Sequence, residues 1–230
     1  MASFFSRDGL VARQARKLGW NAREWDKSHG LRGDVEQPQT MRIVLQELAS
    51  QKIGAVFMVP PAASFSAARQ PAIRSCDSPW GLDDGSVDTT GQSVLKTGNR
   101  SLKAALAILG KCMRTRVPFI MQLPQSSLAW STQEVAELAS APGCRVVSCD
   151  QCMYGQKWRK ASSFLCHLVD MQDLLRLTKK CCSRRNICRH SNRPHVGVPW
   201  SPLGHSCPTA LGRHIAFCLT APLRTWVHGA

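Results

Sequence analysis

The sequence predicts an α/β fold, a Rossmann-like and mainly parallel sheet with helices on both faces and an irregular basic C-terminal region. Three observations carry this. Short apolar runs alternate with helical stretches along the first 150 residues, the order expected of a sheet whose strands are joined by crossover helices. The run Ile53 to Val59 is continuously apolar, as a strand buried on both faces must be. A chain of 230 residues that is 43% hydrophobic can bury the core of one such domain.

The elements follow in order. Gly9 to Leu18 reads as a helix, Asn21 to Trp25 as a strand, Thr40 to Ser50 as a helix and Ile53 to Val59 as a strand. A long helix is expected over Ser93 to Thr115, a strand over Val117 to Met121, a helix over Thr132 to Ser140 and a strand over Arg145 to Cys149. Ser66 to Gln92, rich in Pro, Gly, Ser and Asp, reads as a long loop beside the active edge of the sheet. After Lys179 the periodicity fades, and Pro194, Pro199, Pro202 and Pro208 break any long helix before a last one at Thr209 to Leu219. The organisation expected is a domain over residues 1–180 and a basic tail containing Cys and His over 181–230. No apolar stretch approaches bilayer length and no repeat is present. The first twenty residues mimic an arginine-containing transit segment, but they already fit the first strand and helix of the fold.

The chemistry-bearing segments sit at strand ends. Pro60-Pro61-Ala62-Ala63-Ser64-Phe65-Ser66 stops the apolar run abruptly, at the place where an open α/β sheet puts its site. It resembles the Pro-Pro-Cys-x-x-Phe-Ser loop of the C5-cytosine DNA methyltransferases, with Ala62 at the position of the cysteine nucleophile. Phe5-Ser6-Arg7-Asp8-Gly9 is similar to that family's Phe-x-Gly-x-Gly turn, with Arg7 at the first glycine and Gly9 at the second. Gln122-Leu123-Pro124 stands where the family has its catalytic glutamate, and Tyr154-Gly155-Gln156-Lys157-Trp158-Arg159-Lys160 resembles its Tyr-Gly-x-x-Gln-x-Arg-x-Arg segment, with Tyr154 and Gly155 kept, Arg159 near the first basic position and Ser162 where the second arginine would fall. The four segments occur in the family's order between Phe4 and Phe164.

The resemblance implies S-adenosylmethionine as the candidate cofactor, DNA as partner, and Ala62, Gln122 and Arg159 at the catalytic positions. Alanine cannot form the covalent bond to the base and glutamine cannot supply a proton, so the implied domain is a methyltransferase-like pseudoenzyme impaired in cytosine-C5 transfer. Phe5, Gly9 and Pro60 would line the cofactor, with Asp26 (or Glu24) on its ribose and Asp34 near its adenine. Surface or capping roles remain open for these carboxylates, and Arg7 speaks against cofactor binding by crowding the turn.

Charge points the same way. Lys and Arg number 30 against 15 acidic residues, a net +15 with a pI near 9.8, a balance that suits nucleic acid. From Arg145 onward 13 basic residues face 3 acidic ones. Ser66, Lys157, Trp158, Lys160, Arg184 and Arg185 are the candidate nucleic-acid contacts, the cations on phosphates and Trp158 on a base. Lys179, Lys180, Arg189 and Arg193 extend the run. A solvated basic face is the alternative reading. A non-enzymatic, basic nucleic-acid-binding protein, of mobile-element origin, is the second functional reading. Both favour an intracellular location, the nucleus ahead of the cytoplasm.

Eleven cysteines without a secretory signal suggest free thiols rather than disulfides. Cys149 and Cys152 have zinc-knuckle spacing, and Cys181, Cys182, Cys188, His190 and His195 follow. Because the second group does not repeat that spacing and Cys149 lies in a strand, core thiols are the expectation and zinc is not. Cys182, Cys188 and His195 are the candidates should a metal bind.

Overall fold

The computed structural model describes residues 1–6, 8–83, 85–181, 187–188, 190–196 and 207–227, without the side chains of 171 and 222–227. Its centre is a sheet of six strands: β1 (Ala2–Phe4), β2 (Arg23–Trp25), β3 (Val56–Met58), β4 (Phe119–Pro124), β5 (Cys144–Asp150) and β6 (Ala161–His167). They lie in the order β2-β1-β3-β4-β6-β5. β1 pairs in parallel with β2 and β3, and β3 with β4, whereas β6 runs antiparallel to both its neighbours, β4 and β5. The sheet is therefore mixed and mostly parallel.

The antiparallel strand is the main departure from the expected element list. Ala161–His167 was not foreseen as a strand because its apolar run is interrupted by Ser162 and Ser163. Its direction follows from chain length. The connection Gln151–Lys160 is too short for the helical crossover that a parallel neighbour needs, so β5 and β6 form a hairpin.

Among the described residues, six α-helices flank the sheet: α1 (Leu10–Lys17), α2 (Pro38–Ala49), α3 (Thr89–Thr115), α4 (Gln133–Ser140), α5 (Met171–Leu175) and α6 (Thr209–Val227). α2 starts at Pro38, whose missing N–H costs nothing in a first turn. α3 begins four residues ahead of the expected Ser93 because the Asp88 carboxylate accepts the Gly91 amide at 2.6 Å and caps it. Alternation along the strands divides the core between two faces. Phe4, Met58, Phe119, Met121 and Leu165 meet α2 and α3 residues such as Leu48, Ile108 and Leu109 on one side. On the other, Phe57, Ile120 and Phe164 meet Val11 and Ala15 of α1 with Leu211, Ile215 and Leu219 of α6. The terminal helix thus completes one layer of the sandwich. No described helix is long and apolar enough to cross a membrane.

The chain leaves β1 toward β2 on one side and returns to β3 on the other, so the sheet's topological switch point lies between β1 and β3. A crevice for a ligand forms at such a point, outside the carboxyl ends of the strands. The turns after Phe4, Met58 and Pro124 and the segment entering β6 all lie at that edge, because Met58 registers with Phe4 and Met121, and Pro124 with Ser162.

Candidate functional site

The β1–α1 turn is tight. Phe5 takes a left-handed backbone, φ 55°, and buries its ring in the core below. Ser3 and Ser6 share a buried hydroxyl hydrogen bond of 2.5 Å, and the Gly9 amide donates to the Ser6 carbonyl at 2.7 Å. Gly9 also has φ 55°, and a Cβ there would run into the Glu24 carboxylate, so this position needs glycine on both counts. Asp8 accepts the amides of Leu10 at 3.1 Å and Cys207 at 3.2 Å, tying the turn to the start of α6. Arg7 lies outside the described residues.

Of the acidic candidates, Glu24 is the one that reaches this turn. It leans over Gly9 while pairing with Arg16 at 2.9 Å. Asp26 accepts from the Ser28 amide and hydroxyl at 2.9 and 2.7 Å, capping a 3₁₀ turn. Asp34 accepts from the Glu36 amide at 2.9 Å and the Gln37 side chain at 3.1 Å. Asp26 is thus a local cap and Asp34 holds the turn ahead of α2, roles confined to their own segments.

Across the switch point, Pro60 is buried and Ala62 half-buried at the head of a 3₁₀ turn, Ala63–Phe65. Ser66 bridges to Ser127, so the loop closes over the end of β4. The loop is held from behind by Arg74, which is 4% exposed. Its guanidinium donates to the Ser64 carbonyl at 3.0 Å, the Pro79 carbonyl at 2.7 Å and Asn99 Oδ1 at 2.8 Å, and stacks 3.8 Å from the Phe65 ring centroid. Burial pulls its pKa down to about 10. The described residues of the long Ser66–Gln92 segment are thus free of helix and named strand up to α3 yet firmly anchored, a role for Arg74 that no local sequence signal announced. Gln122 lies in β4 one residue beyond the β3 register, and its side-chain oxygen is buried with no hydrogen-bond partner.

The β5–β6 end carries the cations. Arg159 Nε lies 3.4 Å from the buried Asp150 carboxylate, which also accepts the Cys181 amide at 2.7 Å. Arg159 is therefore at the same edge as Ala62 and Gln122 but turned toward β5. Lys157, Lys179, Lys180 and Arg193 are exposed around it. Their loops are knitted together: Asp150 N–H donates to the Lys179 carbonyl at 2.9 Å, Val196 N–H to the Lys157 carbonyl at 3.1 Å, and Lys180 Nζ to Gln125 at 3.3 Å. Trp158 is half-buried, with its indole N–H buried and unpaired. Lys160 is half-buried too, and burial, opposed by Cys207, lowers its pKa. Arg184 and Arg185 lie outside the described residues.

The cysteines divide. Cys149 faces the α1–α6 core. Cys152, in the 3₁₀ turn Gln151–Tyr154, joins Cys181, Cys188 and His195, all buried, with their ligand atoms within 4.8 Å of one another. The sequence expectation of dispersed core thiols missed this because it tied Cys152 to Cys149. Burial pushes the Cys152 thiol up, reinforced by hydrogen bonds with the Cys181 and Cys188 thiols. Burial would also raise Cys188, but the Ser191 amide and hydroxyl, the His190 amide and the His195 ring hold it down at about 6. Cys182 lies outside the described residues.

A groove of about 470 Å³ lies elsewhere, between α3 and α4, lined by Leu106, Met113, Glu134 and Leu138 among others. None of the residues singled out from the sequence lines it. No protein-family model matches this chain, and no curated protein matches it either.

Proposed function

We propose that the protein is an S-adenosylmethionine-binding, DNA methyltransferase-like domain that holds nucleic acid at the carboxyl edge of its sheet without transferring a methyl group to cytosine C5. The observation that carries this reading is the meeting of three motif-bearing turns, at Phe5–Gly9, Pro60–Ser66 and Gln122–Pro124, around one topological switch point. At the first turn Glu24 leans over Gly9 while paired with Arg16, which leaves it as the carboxylate placed to accept from ribose hydroxyls there. At the Pro60 loop, a methyl side chain stands where a thiolate would attack, so binding and positioning are all that remain. The exposed Lys157, Lys179, Lys180 and Arg193 supply phosphate contacts beside that loop.

The test couples two titrations. Isothermal calorimetry with S-adenosylmethionine should give a single binding isotherm, and DNA should bind with an affinity that falls steeply between about 50 and about 200 mM salt. DNA binding without any cofactor affinity would support the second reading, a basic nucleic-acid-binding protein on an α/β scaffold. Absence of both would refute the proposal.

A further inference from the structure

We infer that Cys152, Cys181, Cys188 and His195 form a structural zinc site that staples the Tyr154-Gly155 turn to the cation-bearing segment around Lys180 and Arg193. Three thiol sulfurs and an imidazole nitrogen are the donor set that tetrahedral Zn²⁺ selects, and hard cations such as Mg²⁺ and Ca²⁺ avoid it. With bonds of about 2.3 Å to sulfur and about 2.0 Å to nitrogen, tetrahedral ligands sit about 3.8 Å apart for two sulfurs and about 3.5 Å for sulfur and nitrogen. Cys181 Sγ and His195 Nε2 are 3.7 Å apart, and all four ligand atoms lie within 4.8 Å of one another.

The surroundings favour a ligand over simple packing. Cys152, Cys181 and Cys188 form a cluster of their own, apart from both main cores, with Met153 the partly buried apolar side chain packed on it. So small an apolar cluster is a weak anchor for the loops around it, and small loop-rich units of this kind are held by metals or disulfides. Main-chain geometry brings each ligand in. The Asp150 carboxylate fixes the Cys181 amide. Cys188 lies in a short turn where its amide donates to the Arg193 carbonyl at 2.7 Å and the Asn192 amide returns to its own carbonyl at 2.8 Å. The Ile187–Pro194 bridge closes that turn beside His195. Four ligands from three stretches of chain thus converge where β5 ends.

With all three cysteines bound as thiolates and His195 neutral, the centre would carry a net charge of −1. Lys179, Lys180 and Arg159 lie beside Cys181 and Asp150, so that charge is compensated locally. The site would also fix where these cations point.

Metal analysis of the full-length protein, purified under reducing conditions without chelator, should find a single zinc per chain. Cobalt substitution should give the absorption of a tetrahedral, sulfur-ligated ion. Cys152→Ser, Cys181→Ser, Cys188→Ser and His195→Ala should each cut retained zinc to about a tenth or less of the parent's, while Cys76→Ser, at an exposed thiol outside the cluster, should keep it. Because loss of a ligand can unfold the chain, the cobalt spectrum of the unaltered protein stands as an independent arm. A metal-free protein that takes up neither ion would overturn the inference, as would zinc retained in the Cys152→Ser, His195→Ala double variant. So would a Cys181–Cys188 disulfide found by mass spectrometry of the protein as purified.

Discussion

Replacing Arg74 with methionine should unfasten the Pro60–Ser66 loop, and the structure sets the size of the effect. The guanidinium reaches three acceptors within 3.0 Å, at Ser64, Pro79 and Asn99, and a net hydrogen bond to a charged group contributes about 1.5–3 kcal/mol. Holding the charge in that place offsets about 3 kcal/mol of this, the equivalent of drawing its pKa from 12.5 to about 10. Stacking on Phe65 at 3.8 Å adds about 1 kcal/mol. Methionine keeps some of the packing but leaves the buried acceptors without donors, so Arg74→Met should destabilise by about 2–6 kcal/mol. Urea unfolding followed by tryptophan fluorescence reads this directly, because Trp80 packs edge-on against Phe65 in the same assembly. Limited proteolysis should show cleavage within Ser66–Asp88 in the variant and not in the parent. A loss below about 1 kcal/mol with an intact loop would refute the view that Arg74 holds the site together.

Gly9→Ala should cost about 1–2 kcal/mol from its left-handed backbone alone. By displacing Glu24 it should also weaken S-adenosylmethionine binding in calorimetry more than it shifts the urea midpoint. His167 is stacked on Phe119 at 5.2 Å, and its pKa is lowered from 6.5 by burial and by Arg116, against a Gly143 carbonyl that raises it. The unfolded chain therefore takes up the proton first. Stability from this group is full above about pH 6.5 and is lost as pH falls below it, so the urea midpoint should drop between about pH 7.5 and 5.5, and less so in His167→Phe. Lys179→Gln with Lys180→Gln should weaken DNA binding across all sequences and reduce the salt slope by about 2, as measured by fluorescence anisotropy.

Strand and helix alternation was legible because it depends on local pattern. The apolar run at Ile53–Val59 surrounds β3, and the Thr209 helix extends to Val227. β6 was hidden because Ser162 and Ser163 are buried polar residues satisfied by partners on other segments, Gln151 and Ser148, which no local window contains. The turn residues at Gly9 and Pro60 were readable as strand ends, since glycine and proline punctuate the chain. The Cys152 cluster and the Arg74 anchor were not. The first spans residues up to 43 positions apart and the second residues up to 25 apart, so only the fold brings them together.

The most direct test of the site is reversal of its substitutions. In the triple variant Ala62→Cys, Gln122→Glu, Arg7→Gly, the introduced carboxyl would take the place of a buried side chain and stay protonated, able to assist at the base. With S-adenosylmethionine and DNA containing a fluorinated cytosine, this variant should form a covalent complex that survives denaturing electrophoresis, and the parent should form none. A folded variant that binds both ligands yet traps no DNA would contradict the account.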